Sequence, residues 1–325
     1  MPVRVAILST AHMHSFGYAH GLLGNSKCEF VGVWDDDLRR GAEFASRFGV
    51  PFFADLPEVL EKIDAVVITS ENKRHVELAK AAAEKGKHIL CEKPLVTTEE
   101  EGEAMAAATS GVKVMTAFPC RFSPAYTRLK ERIANGDIGN ILAINATNHG
   151  TCPFGWFVEE GKSGGGAMMD HTVHVADLLC DLLREEPAEV YAQTANLLHG
   201  QSWEDTAMLH VKFPSGIFAT IDASWSRPNS YKTWGDVKMS VIGDKGAMDL
   251  DMFAQAFDVY SNNAMRGSVA SYASDLDSAL VAAFIKCIDE DSYPPVSLDD
   301  GLKAARFAMA GYRSAAMGEP VPYLP

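Results

Sequence analysis

Apolar and polar residues alternate in blocks through the first 120 residues of the 325-residue chain. Each block is a short apolar run followed by an amphipathic stretch of helix length. The runs are VRVAILS, EFVGVWD, DAVVITS, KHILCEK and KVMTAFP. Strands this apolar are buried on both faces, so the pattern predicts a doubly wound, parallel α/β sheet. Thr97 and Glu100 predict a capping box at the start of one of its helices.

The pattern changes after about residue 121. A helix, a strand and a glycine run that leads into another helix come first, and strands of mostly alternating polarity follow from 189 to 261. These strands are AEVYAQTANL, TAMLHVKF, GIFATIDASW, DVKMSVIG and GAMDLDMF. They predict an open, mostly antiparallel sheet, and two helices near 275–290 and 299–317 close the chain. We therefore expect an α/β domain over 1–120 and an α+β domain over 121–325.

The composition is typical of a soluble metabolic protein of the cytoplasm. Hydrophobic residues make up 47% of the chain, no apolar run approaches the roughly 18 residues that cross a bilayer, and the amino terminus shows no signal-peptide pattern. The net charge of −14 disfavours nucleic acid and anionic membranes as partners. The six cysteines show no CxxC spacing, which indicates reduced thiols rather than disulfides or structural zinc.

Polar residues stand where the predicted parallel strands end. Asp35, Ser70 and Lys93 share the carboxyl edge, where doubly wound sheets bind ligands. Lys93 lies at the tip of a buried strand, where a charge needs a partner, so we expect it to face a ligand. Asp35 is placed to bind the adenosine ribose of a dinucleotide, and its charge favours NAD over NADP. Alternatively, the aspartates at 35–37 cap the next helix, a role that Asp36 or Asp37 could fill.

The turn after the first strand lacks the three glycines of a dinucleotide-binding fingerprint. Its sequence is STAHMH, from Ser9 to His14. Ser9 and Ala11 are small enough to let the backbone approach a pyrophosphate, whereas His14 either points away or touches the phosphates itself. His12 and His14 are conceivable metal ligands, but two histidines without a nearby acid make a weak site, and we expect no metal there.

The stretch MMDHTVHVADLLCDLLR, which follows three glycines, predicts a mostly buried helix. Asp170, His174, Asp177 and Asp181 form one polar stripe roughly 60° wide on it. Such a stripe is typical of pocket lining. Asp170 could hydrogen-bond His174 and fix its tautomer, as a general base requires. The alternative makes Asp170 a cap and His174 a core histidine.

His149, His171 and Trp156 are further candidates for the same cavity. A metal held by Asp170, His174, His149 and His171 would need ligands from separate segments to converge, so we favour a metal-free site. The predicted substrate contacts are Lys93, His149, Trp156, His171 and His174.

Four segments resemble the Gfo/Idh/MocA oxidoreductases, the NAD(P)-dependent sugar and cyclitol dehydrogenases. They are CEKP at 91–94, FPCRFSPAYTRLKERIANGDIG at 118–139, SGGGAMMDHTVHVADLL at 163–179 and DDGLKAARFAMAGYRSAAMGEPV near the end. The resemblance implies a Rossmann domain followed by an open-sheet domain, with Lys93, Asp170 and His174 as catalytic residues. The chain departs from the family in its missing glycine fingerprint and in Thr172, which stands where many relatives have glycine.

The same resemblance places Asn72 and Arg121 near the cofactor. The predicted cofactor contacts are then Ser9, Ala11, His12, His14, Asp35, Thr69, Ser70, Asn72, Glu92, Lys93 and Arg121. We expect a homodimer or homotetramer formed through the open sheet. The predicted function is hydride transfer between NAD(P), with NAD favoured, and a secondary hydroxyl of a sugar, cyclitol or related polyol. A non-catalytic dinucleotide sensor, or a lyase or epimerase that recycles bound NAD, are the alternatives.

Overall fold

The computed structural model describes residues 1–324 apart from residues 232, 234, 264, 272 and 273. Its chain divides into two compact units. The first comprises residues 1–119, 155–165 and 276–306, and the second comprises residues 120–154, 166–275 and those from 307 onward.

The elements of the first 119 residues alternate between strand and helix. They are β1 (Val3–Leu8), α1 (Ser15–Leu23), β2 (Cys28–Trp34), α2 (Leu38–Phe48), β3 (Phe52–Phe53), α3 (Leu56–Leu60), β4 (Ala65–Ile68), α4 (His75–Glu84), β5 (His88–Glu92), α5 (Glu99–Ala108) and β6 (Val114–Ala117). The later elements are α6 (Pro124–Ala134), β7 (Ile141–Gly150), α7 (Glu160–Ser163), α8 (Ala167–Leu183), β8 (Glu189–Ala195), β9 (Thr206–Lys212), β10 (Phe218–Ser224), β11 (Gly235–Gly243), β12 (Gly246–Asp251), β13 (Ala256–Ser261), β14 (Arg266–Ser271), α9 (Leu276–Asp289), α10 (Leu298–Met317) and β15 (Val321–Pro322).

The first unit is built on a six-stranded parallel sheet with the order β3-β2-β1-β4-β5-β6. Every residue of β4 and β6 is buried, as expected of strands that are covered on both faces. The predicted doubly wound α/β architecture is therefore confirmed. The short β3 and α3 escaped prediction because two and five residues are too few to show a periodicity.

Helix α5 begins one residue later than predicted. Thr98 is its N-cap and accepts a hydrogen bond from the Glu101 N–H at 3.2 Å. Thr97 instead donates its N–H and its hydroxyl to the Glu101 carboxylate, at 2.8 and 2.9 Å. The predicted box of Thr97 and Glu100 is wrong because the TTEEE sequence offers two registers with the same spacing, and the later one forms.

The second unit contains a seven-stranded mixed sheet with the order β12-β11-β7-β10-β9-β8-β15. Strands β7 and β10 are parallel, and the other neighbours are antiparallel, which confirms the predicted open-sheet domain. Strands β13 and β14, which were not predicted from the sequence, pair as a hairpin outside this sheet.

Helix α8 packs against β7, β9 and β10 of this sheet. Nearly all of its residues are buried, as the apolar circumference of its sequence predicts. Within the part of the chain that the structure describes, no helix combines the length and hydrophobicity needed to cross a membrane.

Candidate functional site

The first turn, which follows β1, is tied to the end of β2 through Asp35. The Thr10 N–H and hydroxyl donate to Asp35 Oδ2 at 2.8 and 2.7 Å. Arg40 donates to both carboxylate oxygens through Nε and Nη2, at 3.0 and 2.7 Å, and the Asp37 N–H donates at 3.0 Å. Asp35 is fully buried. Its carboxylate therefore braces the turn, and the 31% exposed Arg40 side chain is the charged group at the surface.

The arrangement bears on two expectations about Asp35, whose ribose contact stays a prediction. Its oxygens are already occupied by protein donors, so a ribose contact requires Arg40 to move. The charge argument for NAD over NADP also loses force, because the Arg40 guanidinium neutralises the carboxylate. The capping alternative is confirmed for Asp37, which accepts hydrogen bonds from the N–H groups of Arg39 and Arg40 at the start of α2.

Ser9 takes the place of the first fingerprint glycine. Its φ of 65° lies in the left-handed region that glycine favours, so the turn keeps a glycine-like backbone without glycine. Thr69 supports this conformation by donating its hydroxyl to the Ser9 carbonyl at 2.6 Å. Thr69 and Ser70 are fully buried, and the Ser70 hydroxyl donates to the Glu71 carbonyl. Both hydroxyls thus donate to backbone carbonyls at this edge, whereas Thr69 and Ser70 were predicted to contact the cofactor.

Two buried polar atoms at this edge suit a dinucleotide. Ser15 Oγ, at the start of α1, and Asn72 Oδ1 have no hydrogen-bond partner among the residues that the structure describes. The Asn72 amide is held in place because its Nδ2 donates to the Ser163 carbonyl at 2.8 Å. Buried polar groups are normally paired, so these atoms are available to a ligand, and the small Ser9 and Ala11 leave room for it. The residues at the edge therefore fit a bound dinucleotide.

Trp156 contacts the first turn. Its Nε1 donates to the Ala11 carbonyl at 3.1 Å, and its ring stacks on Phe157 with centroids 3.9 Å apart. Both rings also pack against His12. Trp156 belongs to the first unit, and its predicted contact with a substrate stays a prediction.

Glu92, at the end of β5, is fully buried and surrounded by donors. His14 Nδ1 lies 3.1 Å from its Oε1, and the Tyr18 hydroxyl donates to the same oxygen. The Lys93 N–H donates to Oε2 at 3.0 Å. His12 Nδ1 lies 4.0 Å from Oε1. The structure thus brings to His12 and His14 the acid that the sequence could not place beside them.

The charges of this cluster shift the pKa values of its members. Burial alone would raise the pKa of Glu92, but His12, His14 and Lys93 hold it well below its usual range. Burial would lower the pKa of His14, but the Glu92 carboxylate raises it above the ordinary value. Burial and Glu92 together raise the pKa of Tyr18 well above 10.0. Glu92 is therefore ionised at neutral pH, and Tyr18 remains a donor.

Lys93 is buried at the carboxyl edge, as expected. Only 4% of its surface is exposed, and the peptide bond that joins it to Pro94 is cis. The His75 ring approaches the Pro94 carbonyl at 3.1 Å through Nδ1. The segment that carries Lys93 is thus enclosed by protein, and its catalytic role stays a prediction.

Helix α8 begins where two backbone segments meet. A Cβ atom on Gly166 would lie 2.3 Å from the Glu204 carbonyl oxygen, so the position needs glycine. The Glu204 carboxylate accepts hydrogen bonds from the N–H groups of Gly166 and Met168, at 2.9 and 3.2 Å, and from the Tyr312 hydroxyl at 2.5 Å. A carboxylate is favourable at a helix N-terminus. The close approach at Gly166 is therefore made by protein backbone.

Asp170, on α8, lies close to two rings. Trp225 Nε1 donates to its Oδ2 at 3.1 Å, and His171 Nε2 lies 3.3 Å from the same oxygen. His171 Nδ1 donates to the Asn148 carbonyl at 3.0 Å. His171 is fully buried, and its predicted contact with a substrate stays a prediction. Asp170 and His174 are each 7% exposed, and their predicted hydrogen bond stays a prediction.

The C-terminal half of the α8 stripe is a buried ion network. Arg121 donates to both oxygens of Asp177 at 2.7 Å, and its Nη1 lies 3.0 Å from Asp181. The Tyr126 hydroxyl and Lys130 Nζ also bond to Asp181, at 2.7 and 2.5 Å. The two aspartates therefore do not line a pocket, because protein cations fill the space beside them. Arg121 is held by two aspartates of α8, and its predicted contact with the cofactor stays a prediction.

His149 points away from α8. In β7 the buried residues Ile144, Ala146 and Asn148 alternate with more exposed ones, and the helix packs on the buried side. Consecutive strand residues face opposite sides of a sheet, so His149 lies on the other face. The predicted cavity shared by His149 and His171 is wrong for this reason.

On that face, His149 is held between two carboxylates. Its Nε2 lies 3.0 Å from Asp222, and its Nδ1 lies 3.1 Å from Asp236, which Arg227 also contacts. Burial lowers the pKa of His149, but hydrogen bonds to the two aspartates raise it to about 9. Burial would raise the pKa of Asp236, but His149 and Arg227 hold it well below its usual range.

The His149 network predicts a pH dependence of stability. A raised histidine pKa stabilises the fold fully below the ordinary value of 6.5, and this contribution disappears as pH rises through about 9. We expect His149→Gln to destabilise by on the order of 1–3 kcal/mol at pH 6 and by much less above pH 9.5. Urea unfolding of both proteins at several pH values measures this difference. A difference that stays constant across the range would contradict the assignment.

Several site residues were not singled out by the sequence analysis. Tyr18 follows His14 by four positions, which places both on one face of α1 and was a usable signal. Arg40 lies five residues after Asp35, in the first turn of α2, but many exposed arginines have such spacing. Trp225 and Glu204 gave no local signal, because their partners on α8 are distant in sequence.

Two family models match the chain. One, described as "Oxidoreductase family, NAD-binding Rossmann fold", covers residues 3–118. The other, described as "GFO/IDH/MocA C-terminal domain", covers residues 126–249. The chain is also 30% identical over 299 residues to the myo-inositol 2-dehydrogenase of Thermotoga maritima, a match that covers 87% of this chain and 86% of that protein. It is 29% identical to the 1,5-anhydro-D-fructose reductase of Ensifer adhaerens, with 90% of each chain covered.

Solved structures agree with these matches. A probable dehydrogenase from Thermotoga maritima superposes with a TM-score of 0.86 at 26% identity, covering 99% of both chains. GenD2 from gentamicin A biosynthesis, solved in complex with NAD, has the same fold, with a TM-score of 0.90 at 23% identity and with 100% and 97% of the two chains covered. The parallel sheet, the residues at its carboxyl edge and these matches lead to one assignment: the chain belongs to the Gfo/Idh/MocA family of NAD-binding oxidoreductases.

Proposed function

We propose that the protein transfers a hydride between NAD and a secondary hydroxyl group of a cyclitol, sugar or related polyol. The observation that carries this proposal is the buried Lys93 at the carboxyl edge of an NAD-binding sheet. Similarity over most of the chain to proteins named as inositol dehydrogenases supports the substrate class.

Three residues share the proposed chemistry. His174 takes the proton of the substrate hydroxyl. Asp170, which is held by Trp225, orients the His174 ring. Lys93 holds the substrate oxygen and stabilises the negative charge that develops on it. Bound NAD supplies the hydride acceptor. Lys93 belongs to the first unit, and Asp170 and His174 belong to the second.

The proposed cofactor contacts follow from the carboxyl edge. Ser9 and Ala11 let the backbone of the first turn approach the pyrophosphate, while Ser15 Oγ and Asn72 Oδ1 supply hydrogen bonds. Ser15 is an addition to the residues expected from the sequence. Trp156, which contacts the turn, stays a candidate for contact with the substrate.

We also propose that the enzyme is a cytoplasmic homo-oligomer assembled through its open sheet. The sheet face opposite α8 carries large exposed apolar side chains at Met208 on β9, Phe218 on β10 and Ile242 on β11. Exposed apolar patches of this kind favour association with a second copy. Light scattering of the purified protein tests this part, and a monomer at micromolar concentration would contradict it.

Absorbance at 340 nm tests the reaction. The protein is mixed with NAD and, separately, with inositols, aldoses and anhydrosugars. We expect NADH to form with at least one of them. Tight NAD binding without turnover would favour the sensor, whereas product formation without net NADH would favour the lyase or epimerase. Failure to bind dinucleotide at all would overturn the proposal.

A further inference from the structure

His12, His14 and Glu92 place three metal-binding side chains around one point of the first unit. One donor atom from each lies within 4.8 Å of the others. We propose that this cluster is a binding site for a divalent transition-metal cation of the Zn²⁺ class. Two imidazoles and a carboxylate are ligands that such cations accept readily.

The distances are close to those of a coordinated cation. Zinc bonds to nitrogen and oxygen are about 2.0–2.2 Å long, so two ligands of a tetrahedral site lie about 3.4 Å apart. His14 Nδ1 and Glu92 Oε1 are 3.1 Å apart, and His12, which has a donor atom within 4.8 Å of both, becomes the third ligand when its side chain moves closer. The His14 N–H donates to His12 Nδ1 at 3.2 Å, so this ring offers Nε2 to a cation unless that hydrogen bond breaks.

The charges around the cluster favour a cation. Glu92 is fully buried, and a buried charge normally has a partner or holds a metal. A second carboxylate, that of Asp277, packs so closely on α1 that a Cβ atom on Gly17 would lie 2.1 Å from it. The Asp277 carboxylate raises the pKa of His14, as Glu92 does, whereas Lys93 lowers it.

The proposed ligands are also oriented by their neighbours. Tyr18 donates its hydroxyl to Glu92 Oε1, and the Lys93 N–H donates to Oε2. Hydrogen bonds of this kind fix the ligands of metal sites. His14, whose side chain is 29% exposed, gives a cation access from solvent. The sequence argued against a metal here because no acid is near the two histidines in the chain, and the fold supplies that acid from β5.

Zinc titration tests the proposal. The full-length protein is freed of metal with EDTA and titrated with Zn²⁺ against a chromophoric chelator. We expect one tightly bound equivalent, a loss of affinity of at least tenfold in His14→Ala, and no tight site in the His12→Ala/His14→Ala double variant. His20→Ala is the matched control, since His20 lies exposed on the same helix and should not affect binding. Visible absorption of bound Co²⁺ gives an independent readout of the ligands.

Two results would overturn the proposal. One is that the wild-type protein binds no zinc. The other is that the double variant, checked for folding by circular dichroism, binds zinc as tightly as the wild type, which would place the metal at other histidines. NADH binding, measured separately on the metal-free protein, reports on the proposed dehydrogenase. Each proposal can therefore fail while the other stands.

Discussion

Replacing Lys93 with alanine is expected to lower kcat by about 100-fold or more, the usual size of an acid–base or charge-stabilising contribution. The variant removes the buried ammonium group that is proposed to hold the substrate oxygen. NADH affinity should change little, because the proposed cofactor contacts come mainly from the first turn and Asn72. Steady-state kinetics with the best polyol from the substrate panel, together with NADH fluorescence titration, measure both quantities.

Lys80→Ala is a suitable control for that experiment. Lys80 lies on α4 with 63% of its side chain exposed, so its loss removes a charge of the same sign without touching the carboxyl edge. Its kcat should equal that of the wild type. If Lys93→Ala retained more than a tenth of the wild-type turnover, Lys93 would not be the catalytic lysine.

Replacing Asp177 with alanine is expected to destabilise the protein by about 3 kcal/mol, because it leaves the Arg121 guanidinium buried without its bidentate partner. Breaking a buried ion pair by removing one member is costly, since the remaining charge has no water to solvate it. Because Asp181 also contacts Arg121, the expected loss of stability lies at the lower end of the range found when one member of a buried ion pair is removed. Chemical denaturation followed by circular dichroism measures the free energy of unfolding.

Two comparisons make the Asp177 prediction specific. Arg128→Ala removes one member of an exposed pair with Glu131 on α6 and should change stability by less than about 1 kcal/mol. The double variant Arg121→Met/Asp177→Leu should recover much of the loss, because an apolar pair can replace a buried ion pair. A loss in Asp177→Ala as small as that in Arg128→Ala would mean that the network contributes little.

The fold could be predicted well because its strands carry a strong signal. Strands such as β4 are wholly apolar, and strands such as β9 alternate buried and exposed residues, so each sheet type left its pattern in the sequence. Elements without such a pattern, including β3 and the β13–β14 hairpin, were missed. The start of α5 was misplaced because Thr97 and Thr98 are equivalent in sequence and differ only in their hydrogen bonds.

The candidate site could be predicted only in part. The ends of the predicted strands placed Asp35, Ser70 and Lys93 at one edge, but the sequence did not show which polar atoms the protein itself would use. Asp35 is engaged by Thr10 and Arg40, and this pairing depends on the path of the first turn rather than on a motif.

Side-chain direction was the second limit. A polar stripe on a helix predicts a shared face, but half of the α8 stripe turned out to be neutralised by Arg121 and Lys130. Similarly, His149 and His171 were grouped by residue type alone. Only the alternation of β7 shows that the sheet separates them.

The Asp35–Arg40 pair has a consequence for protein engineering. Coenzyme preference in such folds is commonly altered at the single acidic position that ends the second strand. Here, replacing Asp35 alone would remove the acceptor of the hydrogen bonds from Thr10, Asp37 and Arg40, and each Thr10 donor left buried without a partner would cost about 1–3 kcal/mol. A library designed to change the coenzyme should therefore vary the aspartate, the arginine and the turn together, since one-residue swaps at this point would lower the yield of folded protein.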